Sequence, residues 1–112
     1  MEHFKVELKG RIWIEIGGNN FLGYGRVELL DKIEELGSLR KAAISMGMSY
    51  RKAYYAIQSI NQLSPTPFVI FTKGGKGGGN SLITASGKSY MNQFRQFERD
   101  FQKFLADHMK IV

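Results

Sequence analysis

A chain of 112 residues with 43% hydrophobic side chains and a net charge of +6 has material for one compact domain with a modest core. Its lack of cysteine excludes a disulfide framework and thiolate chemistry, and suits a reducing compartment. The opening Met1-Glu2-His3-Phe4-Lys5 lacks the plan of a signal peptide, and the longest apolar runs, 53–57 and 68–71, are too short to span a bilayer, so a soluble cytoplasmic protein with no membrane partner is expected.

Phe4, Val6 and Leu8 alternate with Lys5, Glu7 and Lys9, and after Gly10 the alternation resumes with Ile12, Ile14 and Ile16 against Trp13 and Glu15. Such period-two patterning predicts two short strands or one bent strand with a wet face. Gly17-Gly18-Asn19-Asn20 is dense in residues that tolerate positive φ and reads as a turn, followed by Phe21-Leu22 and a second loop at Gly23-Tyr24-Gly25. The first helix should begin there. Leu29, Leu30, Ile33 and Leu36 form its apolar stripe, Glu28 and Asp31 sit near its positive end, and Gly37 supplies a left-handed stop.

Ser38 is placed as the N-cap of a short helix, Leu39 to Met46, with Leu39, Ala42, Ala43 and Met46 turned inward and Arg40 and Lys41 outward. Gly47 breaks it, Met48 is an apolar turn residue, and Ser49 caps a helix from Tyr50 to about Gln62. Ala53, Ile57 and Ile60 make that helix's buried stripe, leaving Tyr50, Arg51, Tyr54, Tyr55 and Gln58 on its broader remaining surface. After Ser64-Pro65-Thr66-Pro67, the runs Phe68 to Phe71 and Ser81 to Thr84 are expected to pair as a β-hairpin across a glycine-rich tip. Ser86 is expected to cap a last helix, 86–109. There Tyr90, Phe94, Phe97, Phe101, Phe104 and then His108 or Met109 recur at alternating spacings of four and three, a heptad seam.

From Leu36 to Phe97 the chain carries eight cationic side chains (Arg40, Lys41, Arg51, Lys52, Lys73, Lys76, Lys88 and Arg95) and none of its ten carboxylates. A one-signed field of this kind calls for a polyanionic partner, because each cation set against a phosphate releases condensed counterions. Within the stretch, 38–61 has the plan of a helix-turn-helix, with small Ala42 and Ala43 where two short helices must cross closely. The first turns of the second helix would enter the major groove, which makes Ser49, Tyr50, Arg51, Tyr54, Tyr55 and Gln58 candidates for the DNA face. Arg51 suits guanine and Gln58 adenine. Ser38, Arg40, Lys41, Lys52 and the amides near Ser38 and Ser49 suit phosphates. The bland alternative is a pair of core helices with a solvated basic face, although a face kept only for solubility usually mixes signs.

Gly74 to Gly79 around Lys76 invites comparison with a phosphate-cradling loop. A Walker A loop needs G-x-x-x-x-G-K-[ST] leading into a helix; here Gly77 follows Lys76, and Leu82 occupies the position five residues before Gly87 in Gly87-Lys88-Ser89. A hairpin tip bearing Lys73, Lys76 and Asn80 is better read as a wing reaching along DNA, with a plain flexible turn as the alternative. His3 and His108 lie near the ends and the carboxylates form no pairing with a base, nucleophile or metal, so no enzyme activity, metal or cofactor is expected. The aromatic seam has two readings, a helix on its own core or one paired with a second chain. Tyr90, Phe94, Phe97, Phe101 and Phe104 are a large apolar load for so small a domain, which favours a homodimer.

The runs Gly25-Arg26-Val27-Glu28-Leu29-Leu30, Gly47-Met48-Ser49-Tyr50-Arg51-Lys52-Ala53 and Gly74-Gly75-Lys76-Gly77-Gly78-Gly79, in this order and spacing, resemble the N-terminal DNA-binding domain of the ModE-type, molybdate-dependent transcriptional regulators. The likeness runs from about Gly10 to the last helix, and the plan is more distantly similar to the LysR-type winged helix. The resemblance implies an α+β winged helix-turn-helix over the single domain 1–112. It has N-terminal strands, a recognition helix from Ser49 to Asn61, a wing over 68–84 and a long C-terminal dimerisation helix over 86–109. It further implies a homodimeric transcriptional regulator on a two-fold symmetric site in double-stranded DNA. Full sensors of that type continue into molybdate-binding domains, whereas this sequence ends at Val112. The expectation is therefore the DNA-binding half alone, with a separate effector-binding protein among its candidate partners. Tyr54 stands where many relatives have tryptophan, and Ser86 where an acid often precedes the glycine, so the operator need not carry over. The competing expectation is a non-specific nucleic-acid or RNA-associated basic module whose tyrosines stack on bases.

Overall fold

The computed structural model describes residues 4–72 and 80–109. In chain order these form β1 (Ile14–Ile16), β2 (Asn19–Leu22), α1 (Tyr24–Leu36), α2 (Leu39–Ser45), α3 (Tyr50–Leu63), β3 (Val69–Thr72), β4 (Asn80–Ile83) and α4 (Ala85–Met109). The described fold is α+β, with two separate two-stranded antiparallel sheets, β1-β2 and β3-β4.

The first hairpin closes more tightly than the sequence pattern predicts. Gly17 and Gly18 have φ of 57° and 81°, the pair of left-handed conformations that a two-residue hairpin turn requires. Asn19 and Asn20 consequently leave the turn and pair with Ile16 and Glu15. The alternation from Phe4 to Leu8 makes no strand, and Phe4, Val6 and Leu8 stay exposed. Alternation gives a segment two unlike faces, but a strand also needs a neighbouring backbone to pair with.

Local signals hold well through the helices. Gly37, at φ 72°, ends α1 with its amide donating to the Ile33 carbonyl at 2.7 Å. Leu29, Leu30 and Ile33 are buried as expected, with Val27 beside them, whereas Leu36 falls on the exposed edge. Ser38 Oγ accepts from the Lys41 amide at 3.2 Å, and Ser49 Oγ from the Lys52 amide at 3.1 Å, so each serine caps its helix. Leu39, Ala42 and Ala43 of α2 and Ala53, Ile57 and Ile60 of α3 are buried, the small side chains letting the two short helices pack closely. At α4 the cap is Thr84 and not Ser86. Thr84 Oγ1 accepts from the Gly87 amide at 3.1 Å, and Ser86 already lies inside the first turn.

β3 and β4 pair from Val69 with Ile83 to Thr72 with Asn80. Phe68, buried just ahead of β3, extends the ladder by accepting from the Thr84 amide at 2.8 Å. The rings of Phe21, Phe68 and Tyr90 meet with centroids 5.1 to 5.9 Å apart and bring β2, β3 and α4 into one core. Gly87 permits this approach, since a Cβ there would lie 3.0 Å from the Phe68 carbonyl oxygen. Beyond Phe94 the helix leaves the core. With 25 residues α4 is about 37 Å long at the usual rise per residue, and the molecule extends 64 × 31 × 22 Å. Its radius of gyration of 17.3 Å exceeds the roughly 13 Å of a compact chain of this length.

Two side chains join the second hairpin to the helix pair. Asn61, near the end of α3, accepts through Oδ1 from the amides of Phe68 (2.9 Å) and Val69 (3.2 Å) and donates through Nδ2 to the Val69 carbonyl at 3.0 Å. Ser81 of β4 takes the Leu39 amide on its Oγ at 3.2 Å, and its own amide donates to the Gly37 carbonyl at 2.9 Å. Asn61→Ala should lower the unfolding free energy by about 2–4 kcal/mol in denaturant titration, since it removes three hydrogen bonds and leaves part-buried amides without their acceptor. A loss within about 0.5 kcal/mol, the range of ordinary surface changes, would contradict this role.

Candidate nucleic-acid interface

The helix pair presents a surface built from alternating rings and cations. Arg51, Lys52, Tyr50 and Tyr55 are exposed on α3, and Tyr54 and Gln58 are half-buried beside them. Tyr50 stacks on Tyr54 at 6.1 Å, and Tyr54 in turn meets Phe71 of β3 at 6.2 Å, so a continuous aromatic row crosses from helix to hairpin. Arg40 of α2 lies 5.0 Å over the Tyr50 ring and Arg51 lies 5.6 Å over Tyr55. Such contacts restrain an arginine without neutralising it. Gln58 Nε2 donates one of its two hydrogens to the Tyr54 hydroxyl at 2.9 Å, which orients the amide and leaves Oε1 and the second N–H for a partner.

Electrostatics set this face apart. The ion pairs among the described residues use Lys5, Lys9, Lys32, Arg95 and Lys103; Arg40, Lys41, Arg51 and Lys52 join none of them. Arg95 is the cation of the acid-free stretch that finds an acid, Asp31 of α1, away from the helix pair.

The backbone amides expected to hold phosphates are partly occupied. The Ser38 and Ser49 hydroxyls turn back as caps, and the Leu39 amide is taken by Ser81. The Arg40, Tyr50 and Arg51 amides keep no partner among the described residues. Asn80 is exposed at the start of β4, while Lys73 and Lys76 lie outside the described residues.

The aromatic seam of α4 divides. Phe94 is 1% exposed and packs against Tyr24 at 5.6 Å, and Tyr90 packs on Phe21 and Phe68, so both belong to the chain's own core and not to an outer seam. Phe101 is half-buried against Gly10. Phe97 and Phe104 remain 49% and 52% exposed, whereas Leu105, off the seam, is buried. A straight helix drifts by about 20° per heptad, so one spacing rule cannot keep all five rings on one neighbour.

Sequence reasoning overlooked Asn61, Ser81 and Arg26. Arg26 Nη1 reaches the carbonyls of Asn20 (2.9 Å) and Phe21 (3.1 Å) and the Ser59 hydroxyl (3.2 Å), joining β2, α1 and α3. Burial lowers its pKa. The sole sequence signal for Asn61 was a polar residue bordering the stripe of Ile57 and Ile60.

Comparison with known proteins adds a consistent set of relatives. The chain is similar to the molybdenum transport protein ModE of Azotobacter vinelandii, 36% identical over 80 residues, covering 71% of this chain and 30% of that protein. It is 34% identical over 89 residues to the molybdenum-pterin-binding protein MopB of Rhodobacter capsulatus, covering 80% of this chain and 33% of the relative. With the DNA-binding transcriptional dual regulator ModE of Escherichia coli K12 it shares 41% over 63 residues, covering 56% and 24% of the two chains. The chain thus spans a third or less of these relatives' length. No protein-family model matches it.

Ser49→Ala should cost about 1 kcal/mol of stability in thermal unfolding, and Ser49→Asp should restore most of it, because an aspartate caps α3 as well as a serine. Equal losses for both variants would show that the cap contributes little.

Proposed function

We propose that this chain is the DNA-binding part of a ModE-type transcriptional regulator. In this reading α2 and α3 form a helix-turn-helix over 38–61, β3 and β4 form the wing over 68–84, and α4 supplies the dimerisation helix of a single 1–112 domain. The observation that carries it is the face of α2 and α3, where four cations outside any described ion pair sit among tyrosines next to the open amides of α3. Double-stranded DNA offers that face what it lacks, a regular array of phosphates around a groove that admits a helix. The similarity to a regulator described as DNA-binding supports the same assignment.

The geometry supports an assignment of roles. Arg51, restrained over Tyr55, and Gln58, oriented by Tyr54, reach base edges together with Tyr50 and Tyr54. Arg40, Lys41 and Lys52 hold phosphates and set register. Phe97 and Phe104, exposed on the part of α4 that projects from the core, pair with the same residues of a second copy. A two-fold pair places two α3 helices about one DNA turn apart, on a symmetric operator.

Selection from random duplex DNA should yield a two-fold symmetric consensus; enrichment of single strands, or of no sequence, would favour a non-specific basic module. On the selected site Arg51→Ala should lose about 1–3 kcal/mol at one base position, while Lys52→Ala should weaken all sequences alike and flatten the salt slope by about one unit. Equal losses for Arg51→Ala on specific and random duplexes would overturn base reading. Phe97→Asp with Phe104→Asp should shift the chain to monomer in analytical ultracentrifugation, and an unchanged dimer would exclude this part of α4 as the interface.

A further inference from the structure

We propose that the cleft between α1, the α2–α3 turn and the flank of α3 turned away from the hairpin binds a small aromatic carboxylate. The cleft holds about 560 Å³, within the usual range for small-molecule sites. Leu29, Met46, Met48, Ala56 and the ring of Tyr55 wall it with apolar surface, and Arg26 and Lys52 complete the lining, with no acid among the described lining residues.

Two features select the occupant. Arg26 is half-buried and joins no ion pair among the described residues. Its Nη1 is engaged by Asn20, Phe21 and Ser59, while Nε and Nη2 have no described acceptor. A partly desolvated guanidinium without an anion is costly, and a carboxylate accepting from the free donors relieves that cost. The walls decide the rest. Leucine, alanine and two adaptable methionines gain from covering a flat hydrocarbon body, whereas a fully hydrated inorganic anion gains nothing from them. The charge and the walls together therefore favour an organic acid over bare phosphate.

The test uses the full chain and 2-naphthoate as probe, with 2-naphthamide and inorganic phosphate as controls, read by calorimetry and by NMR of methionine methyls and arginine Nε. Naphthoate should bind with shifts centred on Met46, Met48 and Arg26, and Lys52→Met should weaken it about tenfold, the equivalent of about 1.4 kcal/mol for one charged contact. Ala56→Trp, which fills the cleft, should abolish binding. Lys52 is exposed, so its variant reports on the site without depending on a core change. The proposal fails if naphthoate does not bind, if naphthamide or phosphate binds as tightly, or if the shifts centre on the exposed rings of Phe97 and Phe104. The readouts involve no DNA, so this result and the DNA-binding reading stand or fall separately.

Discussion

Asn61 is the constraint on which the geometry of the proposed DNA face depends. A two-stranded hairpin is marginal on its own, and β3–β4 has one face toward solvent, with the paired Ile70 and Leu82 exposed. Its position is set where one amide side chain on α3 satisfies the backbone entering β3, and where Ser81 does the same for the start of α2. Helix pair and hairpin are thereby joined at two points far apart in sequence. The aromatic row from Tyr50 through Tyr54 to Phe71 lies across the first of these junctions.

The electrostatic pattern gains meaning from this rigidity. Exposed cations cost little in water, since their hydration is intact, and four of them can stand without acids near α2 and the start of α3. The lack of a described acid is costlier at Arg26, where partial burial removes some of the hydration. Two kinds of unmatched positive charge therefore meet along α3, with Lys52 bordering both the exposed face and the cleft. The exposed kind suits an extended array of phosphates, and the sheltered kind suits a single anion with an apolar body.

α4 performs two tasks in sequence. Its first half completes the core through Gly87, Met91 and Phe94, and a side chain at position 87 would drive it off Phe68. Its second half projects with Phe97 and Phe104 half-exposed, and Arg95 braces the transition through Asp31. These exposed rings on the projecting end of an elongated molecule are the surface that the proposed second copy would cover.

Sequence alone determined what local chemistry decides. Serine before a helix and glycine after it act within four residues, so the caps at Ser38 and Ser49 and the stop at Gly37 were legible, as were the buried stripes of α2 and α3 and the segregation of charge. Tertiary structure decided everything that needs a partner distant in the chain. The alternation at Phe4, Val6 and Leu8 produced no strand because no described strand pairs with it. The heptad spacing of α4 could not reveal that Tyr90 and Phe94 face their own core while Phe97 and Phe104 do not, since periodicity defines a stripe but not what covers it. Asn61, Ser81 and Arg26 were illegible for the same reason: each acts on backbone or side chains that only the folded chain brings within hydrogen-bonding reach.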